Sequence, residues 1–334
     1  MNSDAFPGAD WRRSETSEHA LSGARAWLDS HGSEARYRVV VIQSGKLVAE
    51  WNQNADSDDH LGLASAAKSV FSCMLAVAVD EGRVDSPDAK VVDYYPEMMD
   101  VPEGAGPKPG RYAFEKDPEI TFRQLISNTS GYMKPNENPG TVYHYQTYGM
   151  NILTHAIAKV YGHYDPADVD GSPGLQPLVD EKLRDPIGAS WSYYRMNFDL
   201  HAAARTGIFG NYDGIQSTAL DMARLGWLWC NWGRWGNRQI VPGDWLREAA
   251  QTAPTIREHC PPEQWCYGYG FWTNDHGRLW PSLPRDAFCA HGAGRQFIFA
   301  CPSLELVVVQ SPGLYENKED EDTGLVPRVV AALG

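Results

Sequence analysis

Apolar positions along the chain change period several times, and each change marks an element. Residues 17–31 carry Leu21, Ala24, Trp27 and Leu28 on one helical side, with Gly32 as a stop. Two strand-like runs follow, Tyr37–Gln43 and residues 47–51, and the short turn Ser44-Gly45-Lys46 between them predicts a β-hairpin. The most apolar stretch opens at Ser65 and predicts a helix to about Glu81, with Val70, Phe71, Met74, Leu75 and Val77 apolar and Gly82 as its end. It is too apolar for a surface helix and is expected to be the central buried one. Residues 102–118 are rich in Gly and Pro and are expected to form a long surface loop. Residues 121–127 predict a short helix, followed by the turn Asn128-Thr129-Ser130-Gly131. A second loop over residues 134–140 leads into Tyr143-His144-Tyr145-Gln146-Thr147. Helical patterns return at residues 148–161 and 174–184.

Beyond Gly214 the character shifts. Gln216-Ser217-Thr218 reads as the cap of a helix over about residues 219–230, and residues 242–250 predict another. Strand-like runs occupy residues 267–273, Gln296–Cys301 and residues 305–310, with Pro302-Ser303 turning between the last two and a closing helix over about residues 325–333. Strands at both ends, helices between them and no βαβ alternation predict an α+β fold. Its antiparallel sheet is flanked by helices and carries an inserted all-helical lobe. Residues 1–64 and 215–334 would form the α/β lobe, and residues 65–214 a mainly helical one.

Composition narrows the partners. The 334 residues hold 29 Lys+Arg against 43 Asp+Glu, a net charge of −14, which argues against nucleic acid or an anionic membrane as a partner. No apolar run approaches the roughly 18 residues of a membrane helix. Residues 1–16 are polar and lack the hydrophobic core of an export signal, so a cytoplasmic location is expected. Six cysteines without a CxxC pair, and ten histidines without HExxH spacing, give no reason to expect a metal or another cofactor. Cys260 and Cys266 are close in sequence, but free thiols are expected in such a setting.

Three stretches carry candidate chemistry. Ser65-Ala66-Ala67-Lys68 puts a serine and a lysine three apart, on one helical face. A lysine in dry surroundings can accept the proton that makes a serine hydroxyl nucleophilic. The plainer reading is a cap serine with a solvated lysine, although Ala66, Ala67, Val70 and Phe71 leave the lysine little wet surface. Tyr145 could act as a base only if its pKa fell from about 10 towards neutrality, at roughly 4 kcal/mol. The plainer reading there is aromatic packing. Ala290-His291-Gly292-Ala293-Gly294-Arg295-Gln296 leads into a strand, and its small residues would let backbone N–H groups approach a substrate; the plainer reading is a glycine-rich turn.

Taken in order, these stretches resemble the β-lactamase/penicillin-binding-protein superfamily of serine hydrolases, in the branch of class C β-lactamases, family VIII carboxylesterases and nylon-oligomer hydrolases. The resemblance runs from about residue 38 to about 310. It is carried by Ser65-Ala66-Ala67-Lys68 with Asp80-Glu81-Gly82-Arg83-Val84, by residues 120–131, by residues 139–153, by residues 214–221 and by the His291 segment. It implies Ser65 as the acylated nucleophile, Lys68 as its partner and Tyr145 as the shared acid/base. Backbone N–H groups of Ser65 and of Ala293 or Gly294 would form the oxyanion hole, with Gly292, His291 and Thr147 beside the substrate. Two positions depart from the family. Thr147 stands for the usual asparagine, as a hydroxyl residue does in nylon-oligomer hydrolases, and His291-Gly292-Ala293 stands for Lys-Thr-Gly. Groups that would hold a β-lactam are thereby lost. The expected activity is hydrolysis of a small-molecule ester, or of a short linear amide, through an acyl-enzyme. The alternatives are a penicillin-binding or acylated sensor module with little turnover, and an acyltransferase.

Overall fold

A computed structural model describes residues 19–32, 34–168, 171–196, 212–314 and 324–334. The polar stretch 1–16 and the first two residues of the helix expected over 17–31 lie outside them. In chain order the elements begin with α1 (Ser22–His31), β1 (Tyr37–Gln43), β2 (Lys46–Gln53), β3 (Leu61–Gly62), a 3₁₀ turn over Ala64–Ala66 and α2 (Ala67–Asp80). Next come α3 (Phe122–Ile126), α4 (Tyr148–Val160), α5 (Gln176–Val179), β4 (Ser192–Met196), β5 (Tyr212–Ser217) and α6 (Ala219–Cys230). The chain closes with β6 (Arg234–Trp235), β7 (Arg238–Gln239), α7 (Gly243–Ala249), α8 (Pro254–His259), β8 (Trp272–Thr273), β9 (Phe288–Gly292), β10 (Gln296–Cys301), β11 (Leu306–Gln310) and α9 (Leu325–Leu333).

The expected hairpin forms: Ser44 (φ 48°) and Gly45 (φ 72°) are both left-handed, as a two-residue type I′ turn requires. The hairpin joins a six-stranded sheet of order β2-β1-β11-β10-β9-β8, antiparallel throughout. Val40 of β1 lies opposite Val309 of β11, so the two ends of the chain meet in mid-sheet. Both faces of this sheet are covered, which is why β1, β10 and β11 read as unbroken apolar runs. Val40, Ile42, Ile298, Ala300, Val307 and Val309 face the core that contains α2 and α6. Val39, Val41, Phe297, Phe299 and Val308 face a second core with Leu28 of α1 and Leu325, Val326 and Val329 of α9.

The central helix α2 is buried from Ala67 through Ala78, as its all-round apolar sequence requires. It packs on α4, and the turn before it meets β9. Helix α3 starts on a capping box: Thr121 Oγ1 accepts from Gln124 N, and Gln124 Oε1 accepts from Thr121 N. Thr218 caps α6 in the same position, accepting from Asp221 N at 3.1 Å.

Two parts of the sheet structure depart from expectation. Strands β3, β5 and β4 form a second, three-stranded sheet, and β4 falls inside the stretch expected to be helical. Of the run expected over residues 267–273, only Trp272–Thr273 is a strand, while β9 was not anticipated. Among the described residues no helix is long and apolar enough to cross a membrane. All six cysteines, Cys260 and Cys266 included, are free thiols.

Candidate active site

Ser65 does not cap α2. It sits in the middle of the 3₁₀ turn, and the cap position of α2 is Ala66, which makes no side-chain bond. The turn is held from two sides. Leu63 N donates to Ile215 O of β5 at 2.8 Å. On the other side Gly292 of β9 is pressed against it, so closely that a Cβ there would lie 2.0 Å from Leu63 O and 3.0 Å from Ser65 N. Only glycine fits. Between these supports Ala64 is left-handed (φ 48°), a conformation that costs a non-glycine residue of order 1 kcal/mol and collects at functional sites.

One turn on, Lys68 Nζ lies 2.8 Å from Ser65 Oγ. Lys68 is 1% exposed, whereas Ser65 is half-buried, so the amine is dry and the hydroxyl is reachable. Among the described residues no carboxylate pairs with Lys68, and burial lowers its pKa to about 7. A large share of it is therefore neutral at physiological pH.

Tyr145 completes the cluster: Lys68 Nζ stands 4.8 Å from its ring centroid. Trp272 stacks on Tyr145 with centroids 5.6 Å apart, and Tyr267 meets it edge-on at 5.7 Å. Burial in this aromatic wall pushes the phenol up to about 12, and its interaction with Ser65 lowers it by less. The fall towards neutrality that a tyrosine base needs is absent. The resting group is a phenol, because a desolvated phenolate has no neighbouring charge strong enough to hold it.

Three supports of this cluster escaped sequence reasoning. Asn128, left-handed at φ 59°, grips the chain on both sides of Tyr145: its carbonyl accepts from His144 N at 2.9 Å and its Oδ1 from Gln146 N at 3.0 Å. Gly270 (φ 83°) brings the aromatic segment onto α2, where a Cβ would lie 2.9 Å from Lys68 O. Ser69 Oγ donates to Gly270 O at 2.6 Å and locks that contact. Trp272 and Tyr267 belong to Tyr267-Gly268-Tyr269-Gly270-Phe271-Trp272, whose alternation of rings and glycines was the available signal.

The β9 segment needs a shift of register. Ala290 pairs with Ile298, on the face towards α2, and His291 pairs with Phe297, on the opposite face. Directly opposed residues share a face, and the His291 and Phe297 rings are 6.4 Å apart. The His291 side chain therefore belongs to the far layer and not to the side of Ser65. Ala290-His291-Gly292, rather than His291-Gly292-Ala293, forms the strand edge beside Ser65. Ala293 is the first residue past it. Gly294 lies further out in the turn (φ 77°), and a Cβ there would approach nothing nearer than Gln296 Nε2 at 3.8 Å. Thr147 takes the N-cap position of α4 without a side-chain cap bond, and it lines a cavity with Gln146 and Tyr148. Among the described residues no group of His, Cys, Asp and Glu is arranged to hold a metal ion.

An antiparallel sheet covered by helices, with a Ser-x-x-Lys turn pinned against its edge, defines the β-lactamase/transpeptidase-like fold. The chain belongs to the Beta-lactamase family, whose model matches residues 34–323. That family comprises serine hydrolases. Solved structures agree in fold. A family VIII carboxylesterase is 17% identical, with 98% of each chain covered and a TM-score of 0.66. A penicillin-binding protein homolog from Caulobacter crescentus is 17% identical, with 98% of each chain covered and a TM-score of 0.65. A Bacillus anthracis protein assigned as a 6-aminohexanoate-dimer hydrolase is 18% identical over 99% of this chain and 87% of its own, with a TM-score of 0.63. No curated protein matches the chain in sequence.

Proposed function

We propose that this chain is a serine hydrolase that cleaves small esters, and secondarily short linear amides, through an acyl-enzyme on Ser65. One observation carries the reading: a desolvated amine, Lys68, 2.8 Å from a reachable serine hydroxyl. Neutral Lys68 takes the Ser65 proton as Oγ attacks the substrate carbonyl. The oxyanion that forms accepts hydrogen bonds from the N–H groups of Ser65 and Ala293, each worth roughly 3 kcal/mol in the transition state. When the intermediate collapses, the Tyr145 phenol gives its proton to the leaving oxygen or nitrogen and recovers one from the Lys68 ammonium. Water then attacks the acyl carbonyl, its proton passes to the same pair, and the acid leaves Ser65 free. Lys68 is thus the base, and Tyr145 acts as a proton donor and relay that never has to rest as a phenolate.

The strand edge supports esters over β-lactams: Ala290 offers a methyl group on the nucleophile's side, and Thr147 has no side-chain amide. Turnover of p-nitrophenyl butyrate tests the mechanism. Ser65→Ala is expected to lose at least about 1,000-fold in kcat. A variant as active as the wild type would refute the mechanism. One equivalent of p-nitrophenol released without further turnover would reassign the protein as an acylated sensor.

A further inference from the structure

The two Gly/Pro-rich loops do not simply cross the surface; they bring cations together. Lys108-Pro109-Gly110-Arg111 closes a turn in which Arg111 N donates to Lys108 O at 3.0 Å. Proline at the second position and Gly110 at φ 72° at the third are the requirements of a type II turn, which holds its end residues within about 7 Å. A second turn, closed by Lys134 N to Gly131 O at 3.0 Å, presents Lys134. Buried Asp117 ties the loops together, accepting from Phe114 N at 3.0 Å, Met133 N at 3.2 Å and Lys116 Nζ at 2.7 Å. Each loop is folded tightly on itself: a Cβ on Gly106 would lie 1.4 Å from Arg111 O, and one on Gly131 would lie 2.2 Å from Glu137 O. The backbone that carries the cations is therefore fixed before any ligand arrives, and Arg111 Nη1 donates across the loops to Met133 O at 3.4 Å.

Between the loops is a cavity of about 330 Å³, lined by Lys108, Arg111, Lys134, His144, Gln146 and Thr147 among others. Lys134 is 5% exposed and pairs with Glu137 at 3.0 Å, and Glu137 also meets His144 Nδ1 at 2.9 Å. Lys116, which does not line the cavity, is paired with Asp117. Among the described residues no carboxylate pairs with Lys108 or Arg111. Two uncompensated cations in one concavity are unexpected in a chain of net charge −14. The cavity also adjoins the reaction site. Thr147 follows Tyr145 by two residues, which span at most about 7 Å of backbone.

We infer that this cavity is an anion subsite for the substrate. The ester or amide cleaved at Ser65 carries a carboxylate, and that group seats against Lys108, Arg111 and Lys134. The inference rests on the hydrolase reading above. It supplies what that reading leaves open, the charge of the substrate.

The test uses two pairs of esters. p-Nitrophenyl butyrate against p-nitrophenyl hemiglutarate places the carboxylate on the acyl side, and phenyl acetate against 4-acetoxybenzoate places it on the leaving group. The readout is the ratio of kcat/KM, anionic over neutral, in each pair. In one pair this ratio is expected to fall about 10- to 100-fold in Arg111→Gln, the effect of losing a hydrogen bond to a charged group. Arg111→Lys, which keeps the charge, is expected to retain most of it, and Arg238→Gln, which removes a cation elsewhere, to leave it unmoved. The pair that responds identifies the side on which the carboxylate lies. Ratios equal in wild type and Arg111→Gln for both pairs would overturn the subsite while leaving the hydrolase standing. Glutarate binding to Ser65→Ala, followed by calorimetry, separates the other failure. Arg111-dependent binding without any Ser65-dependent turnover would overturn the hydrolase reading and, with it, the substrate role of the cavity.

Discussion

Lys68 is costly to bury and, on the mechanism proposed here, useful for the same reason. Removing its ammonium from water lowers its pKa to about 7, so the folded protein prefers the neutral amine that Ser65 needs as a base. The linkage follows from the sign of that shift. The unfolded chain, with a lysine pKa near 10.4, binds the proton more readily than the folded one, so stability rises with pH between about 7 and 10.4. Below pH 7 the cost is fully present, on the order of 4 kcal/mol at most. Lys68→Met is therefore expected to be inactive yet more stable. Its urea midpoint should exceed that of the wild type below pH 7, with the gap closing towards pH 10. In the wild type, kcat/KM for p-nitrophenyl butyrate is expected to rise through an apparent pKa near 7 and then level. A rise centred near 12 instead would make Tyr145 the base.

At the scale of elements, the Ser65 turn depends on strands that contribute little chemistry of their own. β5 holds Leu63 by its backbone and β9 presses Gly292 against the turn, so the position of Ser65 is set by its neighbours rather than by a helix cap. Gly292→Ala tests this division of labour. Its Cβ would need the space of Leu63 O, 2.0 Å away, and backbone on both sides cannot yield without moving Ser65. Activity is expected to fall at least about 100-fold, the cost of a displacement near 1 Å at a reacting group. The far-ultraviolet circular dichroism spectrum should remain that of the wild type. Retained activity would show that the turn stands without β9.

For the whole molecule, the decisive contact is α6 on the sheet that joins the two ends of the chain. Gly226 lets the helix approach until a Cβ would lie 2.5 Å from Val307 Cγ1 and 2.9 Å from Ile298 Cγ2. Both neighbours are buried in a core packed on every side, so an added methyl group has no place to go. Gly226→Ala is expected to cost about 1–3 kcal/mol, read as a lower urea midpoint. The kcat of the folded fraction should not change, because the strain falls on the sheet face and not on the Ser65 turn. The inferred anion subsite belongs to this scale too. It is built from loops 102–118 and 134–140 together with the segment that carries Tyr145, and no single element contains it.

Residue order alone determined a good deal of this protein. The spacing of Ser65 and Lys68 marked two side chains that the fold holds 2.8 Å apart, and the unbroken apolar run after Ser65 marked the buried helix. The Ser44-Gly45 turn and the apolar runs at both ends marked the sheet that joins them. These features are local: helix periodicity, turn chemistry and burial all act within a few residues. Other features were decided only when distant segments met. Strand β9 was not legible because Phe288-Cys289-Ala290-His291-Gly292 has no alternation, being buried on both faces nearly to its end. Its register, and therefore the side on which His291 falls, is set by pairing with β10. The direction of the Tyr145 shift depends on Trp272 and Tyr267, more than 120 residues along the chain, because desolvation is a property of what surrounds a group. The gathering of Lys108, Arg111 and Lys134 is likewise invisible in a sequence whose overall charge has the opposite sign. Charge is counted along the chain, but potential depends on distance in space.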